Sequence, residues 1–564
     1  MRPVSLLFAF VLTAAPLFSQ APQQTGSVSG KVVNSVTGQA VKKAVVTLRG
    51  GSGQNSYVTG SDQSGKFQFD NVQPDKYMAT AEAEGYSGAS RTGMKLIPVA
   101  AQQEVSDVEV RVAPLGIISG KVLDEDGQPL EDASVTAVHY DYSVGAKSLQ
   151  AIASAQTNDR GEYRMFDVQP GRYYLMAVAS RRNLTLQMAV SLQSIGIVGV
   201  AGAPVRVPPE SRVHSTVPEE GYPAVYYPGV TEVSQTSPQE LKPGAEWTGA
   251  DFKLRQLPTY HIRGRVTGAA SRSGGRNMVR AQPCYADEAS GFFGGAPNSL
   301  QISQQADARF DIAGAVPGTY CLSVTPPGAR VTAVRQLVTV KAGDVDDVEL
   351  PVPVSFSVSG TLVIDGTPPN PMPQVFVGLR TATDRGVAQV AIKSDGAFQI
   401  DGMYPGAYSL ILPQGPLYAK SILYGSQDVT SGVIPSLQPG IALTITMGTD
   451  PGEVDGTVQP GAVEAGVPVS IVAIPEGAYA ARQDMERFAS SPAGANFTMP
   501  NLPPGDYKVF ALETDDYSDL RNRDLLKLLE GKASSVTVHA GGHEQVSVTA
   551  ISTGELAQAK GKLK

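Results

Sequence analysis

Apolar and polar residues alternate along most of this chain, in short runs broken by Gly, Pro and Asp. In "SGKFQF", from Ser64, Phe67 and Phe69 fall on one side of a strand and Lys66 and Gln68 on the other. A period of two is the mark of a half-buried strand. One segment departs from it. "SDLRNRDLLKLLEGK" carries Leu520, Leu525, Leu528 and Leu529 at helical spacing, with Ser518 as the expected N-cap and Gly531 as the stop. It predicts a short helix near 519–530.

The strand pattern repeats five times with the same phrases in the same order. Each unit opens on a strand: "VSGKVV" at Val28, "ISGKVL" at Ile118, "IRGRVT" at Ile262, "VSGTLV" at Val358 and "VDGTVQ" at Val454. A second strand carries an inward Phe or Tyr: "SGKFQF", "RGEYRMF", "DARFDI", "DGAFQI" and "GANFTM". A third phrase follows directly: "VQPDKYMATA" from Val72, "VQPGRYYLMA" from Val168, "AVPGTYCLSV" from Ala315, "MYPGAYSLIL" from Met403 and "LPPGDYKVFA" from Leu502. Pro presets φ for the second position of a turn, and Gly supplies the positive φ that a type II turn needs at the third. The phrase is therefore expected to be a strand–turn–strand joint. Its Tyr (Tyr77, Tyr173, Tyr320, Tyr408, Tyr507) should pack in the core or at the turn. Asp75 stands where the other copies have Gly, so the first turn is expected to differ.

Each unit holds about seven short strands in a length typical of an antiparallel sandwich. The pattern resembles the carboxypeptidase regulatory-like family, a prealbumin or transthyretin-like sandwich. Gly30-Lys31-Val32, Thr59 to Phe67, Gly120-Lys121-Val122 and Thr157 to Tyr163 carry the resemblance. Later units depart from it: Arg265, Thr361 and Thr457 replace the Lys, and Ala308 replaces a Gly. The resemblance implies an all-β fold class, a tandem array of about five seven-stranded antiparallel β-sandwich domains. The expected boundaries are 1–21 for a signal peptide, 25–113, 114–257 with an extension around 181–247, 258–353, 354–449, 450–552 with the short helix, and a flexible tail over 553–564. Short linkers favour a semi-rigid array over separate beads.

The chain has 564 residues, too many for one core, and a net charge of −8 with no basic stretch. A nucleic-acid partner is not expected. Arg2, the apolar run Val4 to Phe18 and the small residues around Ala21 read as an export signal with cleavage after Ala21; a retained anchor is the other reading. The uncharged stretch between Arg182 and Arg206 contains Gln, Ser and Gly, so no membrane span is expected in the mature chain. Cys284 and Cys321 are the two cysteines. Strand parity puts both thiols on one face, and in an exported protein a disulfide is the natural reading. Two free thiols on non-adjacent strands is the alternative.

Chemistry is sparse. None of the five histidines (His139, His214, His261, His539, His543) has Glu three residues on, so the zinc-peptidase pattern is missing. "HAGGH", His539 to His543, is the nearest His pair. There is no nucleophile elbow and no phosphate loop. "DEDG" at Asp124 and "TNDRG" at Thr157 look calcium-like, and turn chemistry accounts for both. Lys31 and Lys121 are candidates for a Lys–Asn crosslink, with Asn71 and Asn183 as poorly placed acceptors; exposed strand lysines is the better reading. Tyr222, Tyr226, Tyr227 and Trp247 cluster in the unit-two extension. They are either a stacking platform for sugars or pins that fasten the extension to its sandwich. "SGFFGG", Ser290 to Gly295, is a similar aromatic candidate.

The expected protein is non-catalytic, with no catalytic or metal residues and no cofactor. It is exported to the periplasm, the outer-membrane surface or the medium. Its expected role is binding, spacing or adhesion at the envelope, with polysaccharide or an envelope protein as partner. The alternative is an accessory subunit docking onto an envelope peptidase or outer-membrane transporter.

Overall fold

The computed structural model describes residues 25–50, 55–87, 96–142, 147–179, 219–268, 277–284, 300–305, 307–370, 372–381, 386–465, 467–514, 516 and 518–563. The expected signal peptide, His214, Asn183, the stretch between Arg182 and Arg206, and "SGFFGG" lie outside the described residues. The chain divides into two compact units, residues 1–113 and 114–564.

In the first unit, two four-stranded sheets face each other. One is ordered Lys66–Val72, Gly26–Asn34, Glu104–Pro114, Tyr86–Ser87; the other Ser56–Gly60, Val45–Gly50, Asp75–Glu82, Leu96–Val99. Val28, Val32, Leu48, Phe67 and Tyr77 meet between them. In the second unit the strands of each repeat again pair among themselves. In every repeat the opening strand lies parallel to the closing one, as Tyr260–Gly268 does beside Val345–Val352; repeat five adds a short parallel contact between Gly505–Leu512 and His543–Ile551, and the other pairings are antiparallel. Opening and closing strands run the same way because the chain crosses between the two sheets before it returns.

This close pairing explains the Gly of "SGKV" and "RGRV". A Cβ on Gly264 would overlap the Val348 carbonyl and the Phe310 ring, and one on Gly120 would overlap the Ala250 carbonyl. Only Gly lets the closing strand and the inward aromatic approach together.

The Pro-Gly phrase is built differently from the expected type II turn. Gly171 and Gly318 have no positive φ, and Gly406 and Gly505 stand at +153°, far from the type II value of about +80°. The left-handed residue comes three positions before each Pro: Asn71, Asp167, Gly314, Gly402 and Asn501, with φ between 56° and 83°. Each marks a β-bulge. Met165 and Val168 face Ile118 and Gly116, so the bulged strand carries one extra residue, and the other four repeats show the same register shift. Asn, Asp and Gly are the residues that tolerate this conformation. The phrase's Tyr then locks the joint from inside. The hydroxyls of Tyr77, Tyr173, Tyr320 and Tyr507 donate to the carbonyls of Gln73, Gln169, Val316 and Pro503 at 2.8, 2.7, 2.9 and 2.7 Å. Tyr408 also hydrogen-bonds the Tyr404 backbone. All five rings are buried.

Within residues 114–564 the repeats share buried surface. One continuous apolar cluster runs from Ile262 through Met447, joining repeats three and four. Arg482 of repeat five, 2% exposed, donates to the Thr430 carbonyl of repeat four at 2.8 Å and is clamped by both oxygens of Asp484. Tyr142 of repeat two shares a hydrogen bond with the Asn522 side chain of repeat five, so contacts are not confined to repeats adjacent in sequence.

Two expectations about repeat five need correction. The helix spans Arg523–Leu528, and its N-cap is Asn522, whose side chain accepts from the Leu525 N–H; Ser518 lies a turn earlier. The expected flexible tail over 553–564 is in large part a helix, Thr553–Lys560. Ser552 and Glu555 form a capping box at its start, and Leu556 and Ala559 are buried against the outer face of the sheet. The strands beneath, Pro468–Pro475 and Gly505–Leu512, are therefore covered on both faces.

Candidate functional site

The unit-two aromatics do not form an open platform. Tyr226 is 1% exposed and Tyr222 6%. Tyr222 belongs to the core of repeat two, and its hydroxyl accepts from Gln256 Nε2 at 2.9 Å. Tyr227 and Trp247 are half-buried and meet edge to face at 5.5 Å, with Phe252 6.0 Å from Tyr227. The cause lies in how the extension runs. Its short strands Val225–Tyr226 and Gln239–Leu241 join one sheet, and Glu246–Trp247 and Phe252–Lys253 the other. Trp247 and Phe252 pack toward the sandwich core, whereas Tyr226 is buried on the other face of its sheet among Met176, Val178 and Val233; both sets fasten the extension to the sandwich.

The outer face of the same repeat carries a groove. It is lined by Ser119, Gly120, Lys121, Asn158, Glu162, Tyr163, Arg164, Gly249 and Asp251. The strands Gly116–Leu123 and Glu162–Val168 pair antiparallel, with Lys121 opposite Glu162 and Ser119 opposite Arg164. Period two then sends Glu162 and Arg164 outward while Tyr163 and Met165 fill the core. Lys121 Nζ lies 3.1 Å from Glu162 Oε1, and Arg164 lies 3.1 Å from Glu246. Asp251 accepts from the Lys121 backbone N–H at 2.9 Å. Below the floor, the Tyr163 hydroxyl donates to the Ala250 carbonyl at 2.6 Å. Lys121, together with Asn158, holds the Glu162 carboxyl below the usual carboxylate range. At neutral pH the groove thus offers fixed carboxylates, an ammonium, a guanidinium and an amide within a short span.

Beside it stands Phe166, 61% exposed, with the Arg164 guanidinium 5.2 Å from its ring centre. Phe166 ends the phrase "RGEYRMF" but was not singled out as a candidate from the sequence. The signal becomes visible when the five equivalent strands are set side by side: KFQFDNV, EYRMFDV, RFDIAGA, AFQIDGM and NFTMPNL. Where repeat two has Phe166, the others have Asp70, Ala313, Asp401 and Pro500. An apolar ring is left outward there in one repeat alone.

The other candidates resolve into turns and pairs. Asp124 Oδ1 accepts from the N–H groups of Asp126 and Gln128, and Asn158 Oδ1 from those of Arg160 and Glu162. Both calcium-like segments are accounted for by this turn chemistry. Lys31 is exposed and Lys121 is paired as above. His261 Nδ1 sits 2.6 Å from Asp311, and His539 Nδ1 2.8 Å from Glu544. His139 lies beside the Tyr173 ring, and burial holds its pKa down. Cys284 and Cys321 are joined in the structure, with Cα atoms 5.1 Å apart. Cys284 continues the strand Met278–Pro283, which pairs with Gly318–Thr325. The Arg335 guanidinium lies 3.1 Å from the Cys321 sulfur.

Fold and groove together define a protein of tandem β-sandwiches whose recurring residues serve the scaffold. Residues 27–112 and 117–196, in the first two repeats, match the model of the carboxypeptidase regulatory-like domain. No curated protein matches the chain. Among solved structures, it is similar to the minor pilin GBS52 of Streptococcus agalactiae, at 10% identity over 42% of this chain and 97% of that one, with a TM-score of 0.22. It is also similar to the major pilin subunit BcpA of Bacillus cereus, at 10% identity over 75% of this chain and 99% of that one, with a TM-score of 0.14. Likeness at this level says nothing about function.

Proposed function

We propose that this chain is a non-catalytic exported binding scaffold of sandwich repeats, and that it holds carbohydrate on the outer face of repeat two. The observation that carries the reading is Phe166. A solvent-facing ring stands next to a groove of carboxylate, ammonium, guanidinium and amide groups. A sugar needs that combination: a flat apolar surface for its C–H face and paired donors and acceptors for its hydroxyls. Export is supported by the signal-like N-terminus and by the Cys284–Cys321 pair, which persists in oxidising compartments. The residues repeated five times support a scaffold role, because they make bulges, Tyr-to-carbonyl bonds and close strand approaches.

The test is binding of the full chain to a glycan array and to insoluble polysaccharides, beside a Phe166→Ala variant. Phe166 is exposed, so the variant should keep the wild-type unfolding midpoint. Binding should fall by roughly 30-fold, the loss of about 2 kcal/mol that a central aromatic anchor carries. Binding that survives the substitution would move the site elsewhere. If the wild type binds no glycan, the carbohydrate reading fails. One stable protein captured from envelope extracts would then favour the accessory-subunit alternative.

A further inference from the structure

In repeat five the opening strand Gly452–Gln459 lies parallel to the closing strand His543–Ile551, with Glu453 opposite His543. Period two puts Glu453 and Asp455 on one face, while Val454 and Val458 fill the core. One ligand atom from each of Glu453, Asp455 and His543 lies within 4.8 Å of the others. His543 Nδ1 is 3.5 Å from Glu453 Oε1, and the Thr498 hydroxyl donates to Asp455 Oδ1 at 2.6 Å, which fixes that carboxylate.

Repeat three shows the same positions with a cation built in. By strand register, His261 and Arg263 stand where Glu453 and Asp455 do, and Asp344 where His543 does. There the Arg263 guanidinium sits among Asp311, Asp344 and Asp346 at 3.4, 2.7 and 3.1 Å. In repeat five the guanidinium's position is taken by the Asp455 carboxylate. Among the described residues no Lys or Arg pairs with Glu453 or Asp455. Two carboxylates and an imidazole converge with the positive charge missing.

We propose that Glu453, Asp455 and His543 form a surface site for a divalent transition metal of the zinc type. One imidazole and two carboxylates suit zinc, copper or nickel, whereas calcium takes oxygen ligands. Donors about 2.0–2.2 Å from a zinc ion lie roughly 3–4 Å from one another. Side-chain rotation closes the remaining gap, and His543, with 72% of its side chain exposed, is free to turn. Three protein ligands leave a coordination position for water or for a group from another molecule.

The experiment is a calorimetric titration of the untagged full chain with zinc chloride, with calcium chloride alongside. Wild type should take up zinc at one site and give no calcium heat. His543→Ala and Asp455→Asn should each weaken zinc by about tenfold or more, whereas His539→Ala should leave it unchanged. All three side chains lie on the surface, and unfolding midpoints measured with chelator should match wild type. Absence of zinc uptake by the wild type at millimolar concentration would overturn the site. So would zinc affinity that survives His543→Ala, or that is lost in His539→Ala.

Discussion

Asp167 sits in the left-handed region at φ 56°, one step before the end of its strand. What it does there was only half legible in the sequence. The Asn, Asp or Gly three positions before each Pro is plain to see, yet the Pro-Gly pair draws attention because it is the commoner source of positive φ. The bulge supplies the reversal earlier, and the following Tyr ties the chain to the carbonyl behind the Pro. Phe166 was hidden for a related reason. A bulge breaks the alternation by which inward and outward positions are told apart, so its neighbours can be assigned only by comparing repeats. The conformation makes a definite prediction. Asp167→Gly should leave stability unchanged or slightly raised, whereas Asp167→Val, a β-branched residue in the left-handed region, should cost about 1–2 kcal/mol. Urea unfolding of the two variants checks this, and equal midpoints would contradict the assignment of strain to this residue.

The elements of the first two repeats follow closely from period two, whereas the last repeat is where sequence reading fell short. Its strands Pro468–Pro475 and Gly505–Leu512 end in runs of consecutive buried residues, the pattern of a sheet covered on both faces. The cover on the outer face comes from Leu525 and Leu526 of the first helix and Leu556 and Ala559 of the second. Two buried positions in an octet give almost no periodic signal, so Thr553–Lys560 read as tail. Its capping box carries a pH signature. Glu555 is held down to about 2 from 4.5, first by the Lys532 ammonium and then by the Ser552 backbone N–H. A depressed carboxylate contributes stability that is complete above its unfolded pKa and disappears as pH falls through its folded one. The gap in urea midpoint between wild type and Glu555→Gln should therefore be full above about pH 4.5 and close as pH approaches about 2. Buried Asp519, opposite Lys560, has its pKa raised by burial and acts with the opposite sign; it is present in both proteins and cancels. A gap that stays constant with pH would rule out the Glu555 linkage.

At the scale of the whole chain, five similar phrases led to the expectation of similar modules, and the structure distributes cohesion unevenly among them. Residues 25–113 have their own core and their own strand pairing. Repeats three and four share one, and Arg482 ties repeat five to repeat four. That tie was not readable beforehand, because "YAARQDMER" has the composition of an exposed loop although its Arg is among the most buried side chains. Expressed alone, residues 25–113 should unfold in one cooperative transition, while residues 258–353 alone should be markedly less stable than in the full chain. Calorimetry of the two fragments decides this, and a first fragment without a transition would refute it. The recurring bulge has a last consequence, for engineering. Just ahead of it every repeat holds one outward slot, filled in turn by Asp70, Phe166, Ala313, Asp401 and Pro500. The backbone there is set by the residue that follows, so the slot's occupant is free to vary. Grafting a recognition side chain into any of these slots amounts to changing the tip of a tool whose handle is already standardised.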